Sequence, residues 1–393
     1  MRVRAAIATL VALAATSLAA GTADAAKLVR FTTKSQYVDP SDPKTTFNEV
    51  HGAGLPSVKK LPVNVLLPNG YDGKQRFPVL YLLHGHGDNY NSWVDPDDGD
   101  VRRLAAGFQG IIVMPEGGRG WFTDWWNGGR RGDPGWERYH LDELVPLVSK
   151  RFRIRPGRRW HAIAGLSMGG EGAAYYAEQR PGYFGSVATF SGVLSIQRPE
   201  WPEGFDTQGE DHQDVYGDPD AQEFYWRGHN PTALIGNLTN TRVFVAVGDG
   251  TPTKPGEVSN YFGALAEADL RQHAMDFVGA AQRTGIDVTY HPHHGIHDWP
   301  YWRQYFREAL EWRFFKPVVQ TPRRWSYATI AQHAQAWGLR FTFAKPPTEV
   351  ATFARGGDFL TGSGSGTVRI RRLGATHSVT AKLPFRIAYP AAG

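Results

Sequence analysis

Cysteine is absent from the 393 residues of this chain. That absence excludes disulfides, thiolate metal sites and cysteine nucleophiles. The chain must therefore be held by its core, which a protein of this size can build. Beyond the first two dozen residues no apolar run approaches the roughly 20 residues of a spanning helix, so stable membrane insertion is not expected. No basic helix or run of interleaved aromatics and arginines occurs, so nucleic-acid binding is not expected either. The net charge of +5 is modest. It reads as solubility, with contact to an anionic cell-surface polymer as the further reading.

Hydrophobic residues make up 41% of the chain, enough for a substantial core. The length suits one large domain and a small one. Arg2 and Arg4, the uncharged run 5–20 and Ala23-Asp24-Ala25 read as a secretory leader over 1–25, cleaved before Ala26. The expected location is extracellular or cell-wall associated.

Apolar runs at 62–68, 77–83, 110–114, 160–164, 186–190, 242–247 and 286–291 read as strands. Helical spacing appears at 101–107, 136–152, 171–179, 264–284 and 301–314. The alternation predicts an α/β domain over 26–317 with a mainly parallel central sheet. The polar, weakly periodic stretch 197–235 reads as an irregular lid or binding loop. After Pro317 the pattern becomes alternating, at 339–344, 350–355, 367–372 and 378–387, with Gly- and Ser-rich turns. Residues 318–393 are expected to form a small all-β module. Its Arg369, Arg371 and Arg372 read as a solvated or edge-protecting strand face.

Ser167 lies in Gly165-Leu-Ser-Met-Gly169, between a strand pattern and a helical one. Strand, tight turn and helix together describe a nucleophile elbow, in which a strained turn lifts the serine hydroxyl clear of the sheet. A serine hydroxyl is a weak nucleophile and needs a histidine base, an acid to orient it and donors for the oxyanion. On such a sheet the partners follow in the order serine, acid, histidine. His297, after the last strand and before the last helix, is the expected base. Because a base must be unprotonated, activity is expected to fall in acid. The acid is expected after the 242–247 strand, where Asp249 and Glu257 both stand. The backbone N–H groups of Met168 and of His86, in His84-Gly-His-Gly87, are the expected oxyanion donors. His291, His293, His294 and His297 fall within seven residues. No carboxylate at ligand spacing accompanies them, so neither a metal nor another cofactor is expected.

Several segments together resemble the esterase D branch of the α/β-hydrolases, which includes the secreted mycolyltransferases of the antigen 85 group. They are Phe77-Pro-Val-Leu-Tyr-Leu-Leu-His-Gly85, Met114-Pro-Glu-Gly-Gly118 with Phe122-Thr-Asp-Trp125, Trp136-Glu-Arg-Tyr139, and the elbow itself. Gly248-Asp-Gly-Thr-Pro252 resembles the family's acid loop, and Gly295-Ile-His-Asp-Trp-Pro-Tyr-Trp302 its histidine loop. The resemblance covers about 61–314 and implies an α/β-hydrolase fold with Ser167 as nucleophile and His297 as base. It also implies Met168 and His86 as oxyanion donors and Trp299 as an aromatic beside the substrate. Trp125, with Trp93, Trp121 and Trp126, is a further expected contact for a carbohydrate or extended apolar ligand. Two departures stand out. Lys254 occupies the place of the transferases' glutamate, and the loop after His86 is short and lacks their arginine.

The leading expectation is a secreted serine carboxylesterase acting on a lipid, phenolic or acylated-carbohydrate ester. An acyltransferase that passes the acyl group to a sugar or lipid hydroxyl is the alternative. A non-catalytic surface binding protein is the third reading, and such proteins usually lose triad members.

Overall fold

The apolar runs at 77–83, 110–114, 160–164 and 186–190 become four buried neighbouring strands. They are β3 (Val79–Leu83), β4 (Ile111–Pro115), β5 (His161–Leu166) and β6 (Ser186–Phe190). Their continuous burial follows from being covered on both faces, which leaves no solvent side for polar alternation. The computed structural model describes residues 26–41 and 60–390. The expected leader at 1–25 lies outside the described residues.

These strands belong to an eight-stranded sheet. It is completed by β1 (Lys27–Thr33), β2 (Leu61–Leu67), β7 (Arg242–Val247) and β8 (Val288–Pro292). The order is β1-β2-β4-β3-β5-β6-β7-β8. From β4 to β8 every pairing is parallel, while β2 runs antiparallel to both β1 and β4. The antiparallel edge strand β1 was not anticipated, because Lys27–Thr33 is short and only half buried.

The stretch 197–235 is not irregular. It folds into short helices at Trp201–Gln208, His212–Val215, Glu223–His229 and Pro231–Leu234. Each is too short to show a clear period in sequence, and its aromatic residues Trp201, Phe205, Tyr216 and Trp226 pack on one another rather than along one stripe.

Beyond Pro317 the chain builds two four-stranded antiparallel sheets. One has the order β10-β11-β14-β15, formed by His333–Ala336, Leu339–Phe343, Thr367–Arg372 and Ser378–Lys382. The other has the order β16-β13-β12-β9, formed by Phe385–Ala388, Phe359–Ser363, Ala351–Gly356 and Arg324–Thr329. Phe341 and Phe353 stack between them with centroids 4.1 Å apart. The expected single strand 378–387 is two, split at the turn before Phe385. Arg369 and Arg371 do face solvent, but β14 lies inside its sheet, so they protect no edge.

This β-sandwich meets the sheet domain at the far end of the helix Met168–Gln179. Tyr327 Oη donates to Gln179 O at 3.4 Å, and Asn237 pairs with the backbone of Ala328 at 2.7 and 2.9 Å. Arg158 donates to Val319 O at 2.9 Å and lies over the Trp337 ring. Ser167 is at the other end of that helix, about 18 Å away at 1.5 Å per residue.

Candidate active site

The elbow is built by exclusion of side chains. A Cβ on Gly165 would lie 2.0 Å from Gly169 O, and one on Gly169 would lie 2.3 Å from His84 O. Only glycine lets β5, the helix Met168–Gln179 and the His84 loop approach so closely. Ser167 takes the consequence of this tight turn, with φ 52° and ψ −122°. Such a conformation costs a Cβ-bearing residue about 1–3 kcal/mol. It is held by Ser167 N donating to Phe190 O at 2.9 Å.

The hydroxyl so presented lies 2.9 Å from His297 Nε2. His297 Nδ1 lies 2.7 Å from Glu267 Oε2. If Nδ1–H donates to this carboxylate, Nε2 is bare and accepts from the serine, which is the tautomer a base requires. The other carboxylate oxygen, Oε1, accepts from Ser191 Oγ at 2.7 Å and from Gly248 N at 2.6 Å. Trp302 Nε1 donates in turn to Ser191 Oγ at 3.2 Å. Glu267 has no solvent exposure, yet every oxygen lone-pair direction in use is met by a donor.

The expected acids are elsewhere. Glu257 Oε2 accepts from Tyr301 Oη at 2.6 Å and from the backbone N–H groups of Thr253 and Lys254. Burial pushes its carboxyl up, but those bonds outweigh it and hold it below the usual carboxylate range. Asp249 pairs with His294 Nδ1 at 2.7 Å and accepts from Thr251 N at 2.9 Å. Both carboxylates close their own loop, and the imidazole is left to Glu267 on the helix Tyr261–Arg283. That helix comes close because of the acid-loop glycines. A Cβ on Gly250 would lie 2.3 Å from Ala264 O, and one on Gly248 would lie 2.8 Å from Glu267 Cγ. A signal for Glu267 was present in the sequence. It occupies the inward stripe Gly263, Glu267, Leu270, Ala274, Phe277, Ala281, where a carboxylate breaks an otherwise apolar pattern.

The His84–Asp88 loop lies against the elbow. A Cβ on Gly85 would lie 3.6 Å from Ser167 Cβ. Gly85 N donates to Asp88 Oδ2 at 3.0 Å, and His84 Nδ1 lies 2.8 Å from Gly85 O. His86 and Ser167 line the same cavity, and Met168 opens the helix that follows the serine. The His86 ring is engaged on its outer side, with Nε2 2.5 Å from Glu210 Oε2. Glu210 also pairs with Arg119 Nε at 2.9 Å, so the helical lid is tied down onto this loop.

The site opens into a cavity of ≈ 680 Å³ lined by Ser167, His297, His86, Trp121, Trp201, Phe262, Leu265, Trp299 and Trp302, among others. Trp299 is thus on its wall, held edge-on to Trp93 and Trp302. Trp125 is not. It packs in the core with Nε1 donating to Gly120 O at 3.1 Å, whereas Trp121, also expected as a contact and itself only 2% exposed, does line the cavity. Trp93 is a core residue, 1% exposed, with Nε1 donating to Leu83 O.

Known proteins carry related chains. The esterase Rv1288 of Mycobacterium tuberculosis is 33% identical over 246 residues, covering 60% of this chain and 52% of its own. This chain therefore spans about half the length of that relative. The acetyl esterase of Caldicellulosiruptor saccharolyticus is 25% identical over 245 residues, covering 61% of this chain and 84% of its own. Among solved structures, MPT51 of Mycobacterium tuberculosis shares 23% identity with a TM-score of 0.52, over 64% of this chain and 91% of that one. The S-formylglutathione hydrolase of Agrobacterium tumefaciens shares 18% with a TM-score of 0.54, over 74% and 95%. These likenesses show the fold. The family model described as "Putative esterase" matches residues 58–312. With its mainly parallel sheet, nucleophile elbow and matched span, the chain has an α/β-hydrolase fold and belongs to this esterase family.

Proposed function

We propose that this protein is a serine carboxylesterase in which Ser167, His297 and Glu267 form the triad. The observation that carries this reading is the unbroken hydrogen-bonded chain from Ser167 Oγ through His297 to buried Glu267, opening on the large cavity. Ser167 Oγ attacks the acyl carbon while His297 Nε2 takes its proton. The carbonyl oxygen gains charge and is received by the N–H groups of Met168 and His86. His297 then protonates the departing alkoxide, and the acyl-enzyme forms. Water, deprotonated by the same imidazole, releases the acid and restores Ser167.

A fluorophosphonate should label one residue per chain, and peptide mapping should place the label on Ser167. A folded protein that takes no label contradicts this reading. Adding an alcohol acceptor and counting ester product against acid separates hydrolysis from acyl transfer on the same acyl-enzyme.

The cavity wall favours an ester with an extended apolar acyl part. Phe262 and Leu265 are 70% and 73% exposed, and both line the cavity. An acyl chain long enough to cover them would bury each by a further methylene or two, at roughly 0.8 kcal/mol per methylene. Phe262→Ser with Leu265→Ser should therefore lower kcat/KM for long-chain p-nitrophenyl esters by about tenfold and leave the acetyl ester unchanged. An equal loss on both substrates would instead mean that the wall positions the triad.

We further propose that the protein is exported, on the strength of the basic start, apolar run and Ala-x-Ala pattern in 1–25. Among the described residues no helix is long and apolar enough to cross a membrane. The described residues of the C-terminal β module, 318–390, are read as a second domain that caps the end of the sheet domain remote from Ser167. It therefore acts on stability or polymer contact rather than on the cavity.

A further inference from the structure

Three histidines of the 291–297 cluster are not engaged by the triad, and one of them, His294, pairs with Asp249. His291 ends the edge strand β8 side by side with Pro292, and His293 follows it. The carboxylate that the sequence did not offer nearby arrives from the helix Trp299–Trp312. Glu308 Oε2 lies 2.8 Å from His291 Nδ1 and 3.0 Å from His293 Nε2. The ligand atoms of the three residues all lie within 4.8 Å of one another.

We propose that His291, His293 and Glu308 form a binding site for a divalent transition metal of the zinc class, which staples β8 to the helix Trp299–Trp312. Two imidazoles and one carboxylate are the donor types such ions take, leaving a fourth position for water. In a tetrahedral site with bonds of about 2.0–2.1 Å, neighbouring ligand atoms stand roughly 3.3 Å apart. The observed 2.8 and 3.0 Å need only a small expansion. Both nitrogens converge on one oxygen, so the rings already aim at a common point. Binding replaces two N–H donors by two bare nitrogens, with the ring protons moving to the opposite nitrogens or into solvent.

The surroundings suit this assignment. Gln304 Nε2 donates to Glu308 Oε1 at 3.0 Å, so it orients that ligand from outside. Tyr305 stacks on His293 with rings 5.2 Å apart and 19° between planes, which limits ring rotation. The side chains of His291, His293 and Glu308 are 39%, 25% and 19% exposed, so an ion can enter without unfolding the helix.

Position gives the site its consequence. His291 and His293 precede, and Glu308 follows, the loop that carries His297. An ion would close that loop at its base. It would thereby stabilise the fold without touching the reacting serine.

The test uses the full untagged chain, stripped of metal by a chelator and then dialysed free of it. Zn²⁺ is titrated by calorimetry, and Co²⁺ by visible absorption. One equivalent should bind, with the intense visible bands of tetrahedral cobalt, and zinc should raise Tm. His293→Gln and Glu308→Gln should each weaken zinc binding at least tenfold and abolish the rise in Tm. His212→Gln should change neither. It removes a ligand from Asp206, Asp211 and His212, the other grouping of suitable donors among the described residues. Absence of the cobalt bands in folded wild type overturns the proposal. So does zinc binding that survives Glu308→Gln and is lost in His212→Gln. Should either variant fail to fold, the wild-type cobalt spectrum alone decides.

Discussion

Glu267→Gln should lower kcat for ester hydrolysis by about 10³- to 10⁴-fold, with KM little changed. The argument rests on which atoms surround the carboxylate. Ser191 Oγ–H and Gly248 N–H both donate to Oε1, so the amide oxygen of a glutamine must take that place. Its NH₂ group then faces His297 Nδ1, where Oε2 now lies at 2.7 Å. An NH₂ donor there requires Nδ1 to be bare and puts the ring proton on Nε2. A histidine in that tautomer cannot take the proton of Ser167, and the lost negative charge no longer stabilises the imidazolium. Glu257→Gln and Asp249→Asn should stay within a few-fold of wild type, because those carboxylates are bonded to Tyr301 and His294 instead. Steady-state kinetics on one short ester checks all three. A loss in Glu257→Gln as deep as in Glu267→Gln would remove Glu267 from the triad.

Ser167→Ala should lower kcat by about 10⁶-fold, since it removes the atom that forms the acyl-enzyme. The residual rate should still exceed that in water by about 10³-fold, because the Met168 and His86 amides and the cavity remain. The sharper expectation concerns additivity. Ser167→Ala combined with Glu267→Gln should be no slower than Ser167→Ala alone, because the acid acts only through the histidine on the serine. A double variant slower by the product of the two losses would mean that Glu267 acts independently of Ser167. The measurement is single-turnover hydrolysis of an activated ester at high enzyme concentration, with the label-negative Ser167→Ala protein serving as its own control for contaminating esterase.

The parts of this molecule that were legible in advance are those whose cause is local. The buried parallel strands announce themselves as apolar runs, because both faces must be covered. The elbow does so because two glycines, a strand and a helix must be contiguous for a serine to sit at φ 52°. His297 is placed by chain order and by the loop before the last helix. The carboxylate that meets His297 was not placed. Asp249, Glu257 and Glu267 all follow β7 within twenty residues of its end, and spacing treats them alike. What separates them is the approach of a helix to a loop across Gly248 and Gly250, a contact between surfaces distant in the chain. The same holds for the tryptophans, of which packing leaves Trp121 on the cavity wall and Trp125 off it. It holds again for Glu308, which meets His291 and His293 only because the last helix folds back along the edge strand.

The sequence by itself therefore determined the α/β fold class and brought Ser167 and His297 forward as the candidates that the structure places 2.9 Å apart, since hydrophobic pattern and steric exclusion act between near neighbours. Only the tertiary structure decided which carboxylate meets His297, which tryptophans line the cavity, and the histidine–carboxylate cluster. Each of these depends on which face of an element turns inward, and that is settled by packing across the whole domain rather than by any stretch of chain.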